Sequence, residues 1–390
     1  MRSFHVLIIG GGVIGLTLAW RIRQAGVTVA LLEQGDLPGL VGSRSGSPGC
    51  SHDRAPAGQA TWASAGMLSP LAEQASRSRL GELGMESLQL FPGYTADLSR
   101  DSGLDIMPRS DGALRPVLHP EDEPLLREYL DWLREKGLPA RWLSPDETVV
   151  RAPFVGAVPS LESPAEQYIL PRQLLKALVR AACSVGVELF SHTAPTGFVT
   201  SRRRLESVHT TRGTMAAFEV VLAAGAWTAG LAARLGLRVP VRPVYGQLLQ
   251  LRGRPRMSHA LFTAAGFLSP RPGGRLLIGS TEEEVGFRHG PTSEGIQRLL
   301  AMAAAVAPET AMARLENAWA GLRPGTPDHL PIIGPAPGWE NLSLATGHFR
   351  KGILLAPLTS QILVPWLLGR CEHPQMKYLT LERFEGRSRE

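Results

Sequence analysis

Two arginines near the C-terminus carry the first chemical signal in this chain. Arg323 stands in Gly321-Leu322-Arg323-Pro324-Gly325-Thr326-Pro327-Asp328, and Arg350 follows in Gly347-His348-Phe349-Arg350. The glycines and prolines of the first run predict tight turns rather than a regular element. A guanidinium is permanently charged and presents paired N–H groups, which hold a carboxylate in a fixed plane. A clamped carboxylate aims its neighbouring carbon at whatever lies opposite. No histidine or acid nearby makes a convincing general base, so orientation must do most of the work and a cofactor the bond chemistry.

The N-terminus supplies the cofactor signal. Gly10-x-Gly12-x-x-Gly15 lies between a predicted strand over 4–9 and a predicted helix over 13–25. Gly10 permits the tight turn, Gly12 lets the backbone approach a pyrophosphate, and Gly15 lets the helix pack against the sheet. The helix N-terminus then offers N–H groups and a positive dipole end to phosphate. Glu33, at the end of the second predicted strand, stands where a ribose hydroxyl is expected, and its charge disfavours a 2′-phosphate. Two further strand ends, Val220 to Gly225 and Leu342 to Gly347, finish in small residues that let a long ligand cross the sheet edge. The second leads into Gly352-Ile353-Leu354-Leu355, a helix start able to face a flavin pyrimidine ring. These features favour FAD over NAD.

Bulk composition limits the alternatives. The chain has 390 residues, long enough for two domains or one large domain with an inserted lobe. Its formal charge is +6, yet the arginines are scattered and form no block or stripe of the kind nucleic acid requires. Cys50, Cys183 and Cys371 are too sparse and widely spaced for a disulfide framework or zinc, and fit a reducing cytoplasm. No stretch approaches the roughly 20 apolar residues expected of a membrane span. No metal is expected, and a homo-oligomer is left open.

The elements that position these residues follow from periodicity. Strands are expected at 4–9, 27–33, 187–190, 217–224 and 342–345, with helices at 13–25, 80–100, 121–136, 172–185, 293–305 and 353–368. Antiparallel strands are expected at 244–251, 260–269 and 275–280, the last two joined by a turn at Pro272-Gly273-Gly274. Residues 35–59 read as a long surface loop. Within it Cys50, His52 and Asp53 are read as a chance cluster rather than a metal site. The fold class is therefore α/β: a Rossmann-like FAD-binding domain (1–100, 155–238 and 316–390) with an inserted antiparallel-sheet substrate domain (101–154 and 239–315).

The chain resembles the glycine oxidase branch of the D-amino acid oxidase family of flavoproteins. The matching pieces are Gly10 to Gly15 with Glu33, Ala60 to Leu68, Val221 to Trp227, Gly279 to Phe287, Gly321 to Asp328 and Gly347 to Pro357. The resemblance implies non-covalent FAD and oxidation of glycine or a similar small amine to an imine, with O2 reduced to H2O2. It also implies a link to the thiazole of thiamine. It assigns carboxylate binding to Arg323 and the substrate side of the flavin to Arg350. Ala65, Gly66 and Met67 fall on the segment alongside the flavin, and Thr61 replaces the usual serine. The expected cofactor set is Gly10, Gly12, Val13, Ile14, Gly15, Glu33, Thr61, Ala65, Gly66, Met67, Gly225, Gly347, His348, Phe349, Arg350, Lys351, Gly352 and Ile353.

Three departures bear on substrate. Phe267 stands where a tyrosine usually faces the carboxylate, Lys351 replaces an asparagine close to the flavin edge, and the 35–59 loop is long. Tyr245 is either a substitute hydroxyl donor or packing. Met67 reads as a pocket wall, His348 as a packed loop residue, and Trp62 and Trp227 as packing. A D-amino acid oxidase, a dehydrogenase with another electron acceptor, and a flavin-binding subunit of low activity remain the alternatives.

Overall fold

The N-terminal apolar run builds the centre of a parallel sheet. The computed structural model describes residues 1–39, 58–70, 78–110, 112–164, 166–253 and 257–384. Strand Arg2–Ile9 pairs in parallel with Val29–Leu32 on one side and Gly213–Leu222 on the other. Glu188–Phe190 and Leu342–Thr346 extend the two edges in parallel, and Ile332–Pro335 closes the sheet antiparallel. Unbroken apolar runs such as Val6 to Ile9 and Val29 to Leu32 are what a sheet covered on both faces requires.

Four helices cover one face: Val13–Gln24, Arg79–Ser102, Pro171–Ser184 and Gly352–Gly369. The last carries no charged residue and, with its preceding turn, is long and apolar enough to cross a membrane by composition. This departs from the expectation that no such stretch exists. Leu354, Leu355, Ile362 and Leu363 are buried in the cluster formed with Leu16, Trp20, Leu83 and Phe91. A helix apolar on every side is normal at the centre of a large domain. The antiparallel pair Pro195–Ser201 and Arg204–Thr210 extends from Gly213–Leu222 and packs Leu205 and Val208 on the opposite face.

The second sheet has eight strands in the order Arg314–Gly325, Arg242–Arg252, Arg275–Gly279, Gly266–Arg271, Ala260–Thr263, Ala113–Pro116, Ser160–Ser163 and Arg141–Leu143. Its pairings are antiparallel except that of Ala260–Thr263 with Ala113–Pro116. One face packs Leu249, Leu251, Leu268, Leu276 and Ile278 under helix Ser293–Val306. The alternate residues Gly246, Leu248 and Phe267 turn the other way, toward the first sheet.

Several local expectations are corrected. The strand predicted over 260–269 is two strands, because the chain turns at Ala264-Ala265. The turn run around Arg323 is the end of the twelve-residue strand Arg314–Gly325. Its glycines serve packing: a Cβ on Gly321 would lie 2.5 Å from Ala63 Cβ, and one on Gly325 2.8 Å from Val244 Cγ2. That strand and Ser160–Ser163 are hydrogen-bonded into the second sheet, although residues 316–325 and 160–163 fall in ranges assigned by sequence to the cofactor unit. Most of the predicted 35–59 loop, including Cys50, His52 and Asp53, lies outside the described residues.

Candidate active site

A cleft of about 460 Å³ runs between the two sheets, within the size range of small-molecule and cofactor sites. At one end it is lined by Gly10, Gly12, Val13, Ile14, Glu33 and Thr193. Gly10 has φ +121°, and a Cβ there would lie 2.4 Å from the Ala223 carbonyl oxygen, so only glycine fits the turn. Gly15 lines no part of the cleft. A Cβ there would lie 1.9 Å from the Gly10 oxygen, so it seats the helix on the strand end. Gly12 differs: its nearest neighbour would be Thr61 Oγ1 at 3.4 Å, leaving an open cradle at the helix N-terminus. Thr61 Oγ1 also accepts from Val13 N at 3.2 Å. Glu33 accepts from Gly11 N at 2.7 Å, from Gly35 N at 2.8 Å and from Gln59 Nε2 at 3.0 Å. Its carboxylate is thus fixed while still facing the cleft.

The middle of the cleft is walled by Ala63, Ser64, Ala65, Gly66 and Met67, together with Gly225 and Thr346 from the ends of the parallel strands. Two side chains of the second sheet hold that wall segment. Trp319 Nε1 donates to Ala63 O at 2.9 Å, and Arg271 Nη2 donates to Ala65 O at 2.7 Å. The buried Arg271 guanidinium also lies 3.9 Å over the Tyr168 ring and donates to Ser269 Oγ. Helix Gly352–Gly369 points its first residues, Gly352 and Ile353, into the same region.

The far end holds the arginine. Arg323 faces the cleft with Phe267, Ser280, Gly246 and Leu248. Gly246 makes room for it, since a Cβ there would lie 2.0 Å from the guanidinium. Arg323 Nη1 donates to Thr281 O at 3.1 Å and Nη2 to Ser280 Oγ at 2.7 Å. Arg350 also lines the cleft and pairs with the Glu282 carboxylate. Phe267 leans on Gly279 and lies 5.9 Å from the Phe262 ring.

His348 lines the cleft but is buried, and burial lowers its pKa to about 3. Its Nε2 lies 3.0 Å from Thr359 Oγ1, and that hydroxyl donates to Leu355 O. The threonine proton being committed, Nε2 carries the imidazole proton. Phe349 lines the cleft, whereas Gly347 sits behind it, where a Cβ would lie 2.5 Å from Thr326 Cγ2.

Besides Gly15 and Gly347, two further expected positions fall outside the cleft lining and are corrected. Tyr245 is on the opposite face of its strand from Gly246, fully buried, with its hydroxyl donating to Gly290 O. Strand alternation turns it away from the cleft and leaves it as packing with Leu322. Lys351 is also buried outside the cleft lining, and its Nζ donates to Ser69 O at 2.8 Å. Sequence reading missed Gly246, Gln59, Ser280, Arg271 and Trp319. Only Ser280 was signalled, through the Gly279 to Phe287 segment in which it stands.

A parallel sheet with a glycine turn and helix N-terminus at one end of a cleft, facing an antiparallel sheet that presents an arginine at the other, defines a dinucleotide-cofactor oxidoreductase. The chain belongs to the DAO family of FAD-dependent oxidoreductases, whose model matches residues 5–366. It is an FAD-dependent enzyme. A glycine oxidase from Pseudomonas aeruginosa is 33% identical, covering 94% of this chain and 96% of its own. The crystal structure of glycine oxidase from Geobacillus kaustophilus superposes with TM-score 0.87 at 31% identity, covering 98% of this chain and 99% of that one. The bifunctional protein ThiO/ThiG of Trichormus variabilis is 32% identical over 97% of this chain and 55% of its own length.

Proposed function

We propose that the protein oxidises glycine or a similarly small amino acid or amine to the imine, which hydrolyses to glyoxylate and ammonia, with O2 reduced to H2O2. One observation carries this reading. Arg323 enters the cleft with its guanidinium oriented by Ser280 and the Thr281 carbonyl, beside apolar Phe267. That arrangement grips one carboxylate and offers little polar contact to the rest of the substrate. Bound FAD supplies the electron acceptor.

The proposed non-covalent FAD contacts run along the cleft. Glu33 takes the ribose, and Gly10, Gly12, Val13 and Ile14 the pyrophosphate. Ala65, Gly66, Met67, Gly225 and the 348–353 segment take the flavin. His348, uncharged and held by Thr359, does not serve as a charged base. The chain's task is to orient the Cα–H, keep water out and accept a neutral amine. The similarity to glycine oxidases and to ThiO/ThiG supports a supply role in thiamine thiazole synthesis. Exposed thiols at Cys183 and Cys371 suit a cytoplasmic setting.

Anaerobic flavin reduction across glycine, sarcosine and bulkier D-amino acids tests the proposal, with peroxide release measured in air. Glycine or sarcosine should bleach the flavin fastest. Arg323→Ala should lower kcat/KM by about 100-fold or more, the loss of two charge-assisted hydrogen bonds of roughly 1.5–3 kcal/mol each, while FAD stays bound. Unchanged kinetics would remove Arg323 from the site. Phe267 favours a second reading: without a hydroxyl on that wall, bulkier D-amino acids or an acceptor other than O2 come into range. Bleaching by those amines alone, or turnover only with artificial acceptors, would select it.

A further inference from the structure

Arg350 lines the cleft, yet its guanidinium meets a carboxylate of the chain itself, that of Glu282. Arg323 donates to Ser280 Oγ and to Thr281 O. The two arginines therefore hold consecutive residues, 280 to 282, of one segment. Both also line the same cleft. Two such cations would suit an amine bearing two carboxylates. Glu282 opposes this, because it occupies Arg350 and repels a second anion. The adjacent acids point elsewhere: Glu283 accepts from Gln247 and pairs with Arg298, and Glu284 pairs with Arg242. Arg350 and Glu282 keep 30% and 42% of their side-chain surface exposed, which puts the pair at the mouth of the cleft, where an entering substrate meets it.

We infer that Glu282 determines specificity: it masks Arg350, so that the site takes amines with one carboxylate and rejects amines with two. This rests on the amine-oxidising reading above. The test uses the full-length FAD-bound enzyme, its Glu282→Gln variant and its Glu282→Asp variant at matched ionic strength. Turnover is compared for glycine, iminodiacetate and aspartate. Thermal stabilisation by acetate and malonate, which are not oxidised, is measured in parallel. Glu282→Gln should raise kcat/KM for a dicarboxylate relative to glycine at least tenfold. It should enlarge the malonate shift relative to acetate, and Glu282→Asp should restore rejection. A ratio that does not move in Glu282→Gln while glycine is still turned over overturns the inference, as does a wild type that takes iminodiacetate as readily as glycine. If glycine fails to reduce the wild-type flavin, the amine-oxidising reading falls, and the malonate-to-acetate comparison still decides whether Glu282 masks Arg350.

Discussion

At the scale of single residues, charge placement decides what each group does. His348 lines the cleft but is withdrawn from proton chemistry by burial, which takes its pKa down to about 3. Below about pH 6.5 the unfolded chain binds a proton that the folded chain refuses. Stability from this group is therefore complete above about pH 6.5 and lost as pH falls toward 3, at up to about 1.4 kcal/mol per pH unit. His348→Gln should flatten the stability profile between about pH 6.5 and 5 by up to one proton's worth, read from urea denaturation of the FAD-bound protein. Identical slopes would show that the imidazole titrates normally. Phe267 makes the opposite point, a polar group missing where one is useful. Its ring leans on Gly279, which offers no side chain to obstruct an added hydroxyl. Phe267→Tyr should tighten carboxylate inhibitors about fivefold, the value of one hydrogen bond of roughly 1 kcal/mol. No change in affinity would mean that this wall does not face the carboxylate.

At the scale of elements, the three fingerprint glycines separate into two kinds. Gly10 and Gly15 are required by the protein itself, since added Cβ atoms would lie within 2.4 Å of backbone oxygens. Gly12 has no such neighbour among the described residues. Its small size matters to whatever approaches the helix N-terminus. Gly15→Ala should therefore yield poorly folded protein. Gly12→Ala should yield folded apoprotein with FAD affinity reduced at least tenfold, measured by flavin fluorescence on titration and by circular dichroism. Full flavin affinity in Gly12→Ala would move the pyrophosphate away from this turn. The same scale explains why Arg323 and Tyr245 part company. Arg323 pairs across the sheet with Val244, on the face of Gly246, while Tyr245 pairs with Leu322 on the other. Once the run is a strand and not a turn, alternation alone separates them.

At the scale of the whole molecule, the second sheet holds the segment that forms the middle wall of the cleft. Trp319 and Arg271 reach from the second sheet to the Ala63 and Ala65 carbonyls, on the wall proposed to face the flavin. Arg271→Met would leave the Ala65 carbonyl short of a donor, costing about 1–3 kcal/mol. It would also remove a buried cation beside that wall. The expected result is lower stability together with a shifted flavin absorbance spectrum and midpoint potential. A stability loss with an unmoved spectrum and potential would reduce Arg271 to a packing role. Much of this architecture was legible in the sequence. The strand, glycine turn, helix and Glu33 succession lies within the first 33 residues and depends on local chain geometry, so spacing alone specifies it. The short apolar runs likewise announced the buried strands. Pairing between distant segments was not legible. Gly246 makes room for Arg323, Glu282 meets Arg350 and Arg271 reaches Ala65 across 77, 68 and 206 positions of sequence. No periodicity records such contacts, because they follow from how two sheets stack and which face each side chain turns inward. Residue types and their local spacing thus determined the class of chemistry, and tertiary packing alone decided which charges meet in the cleft.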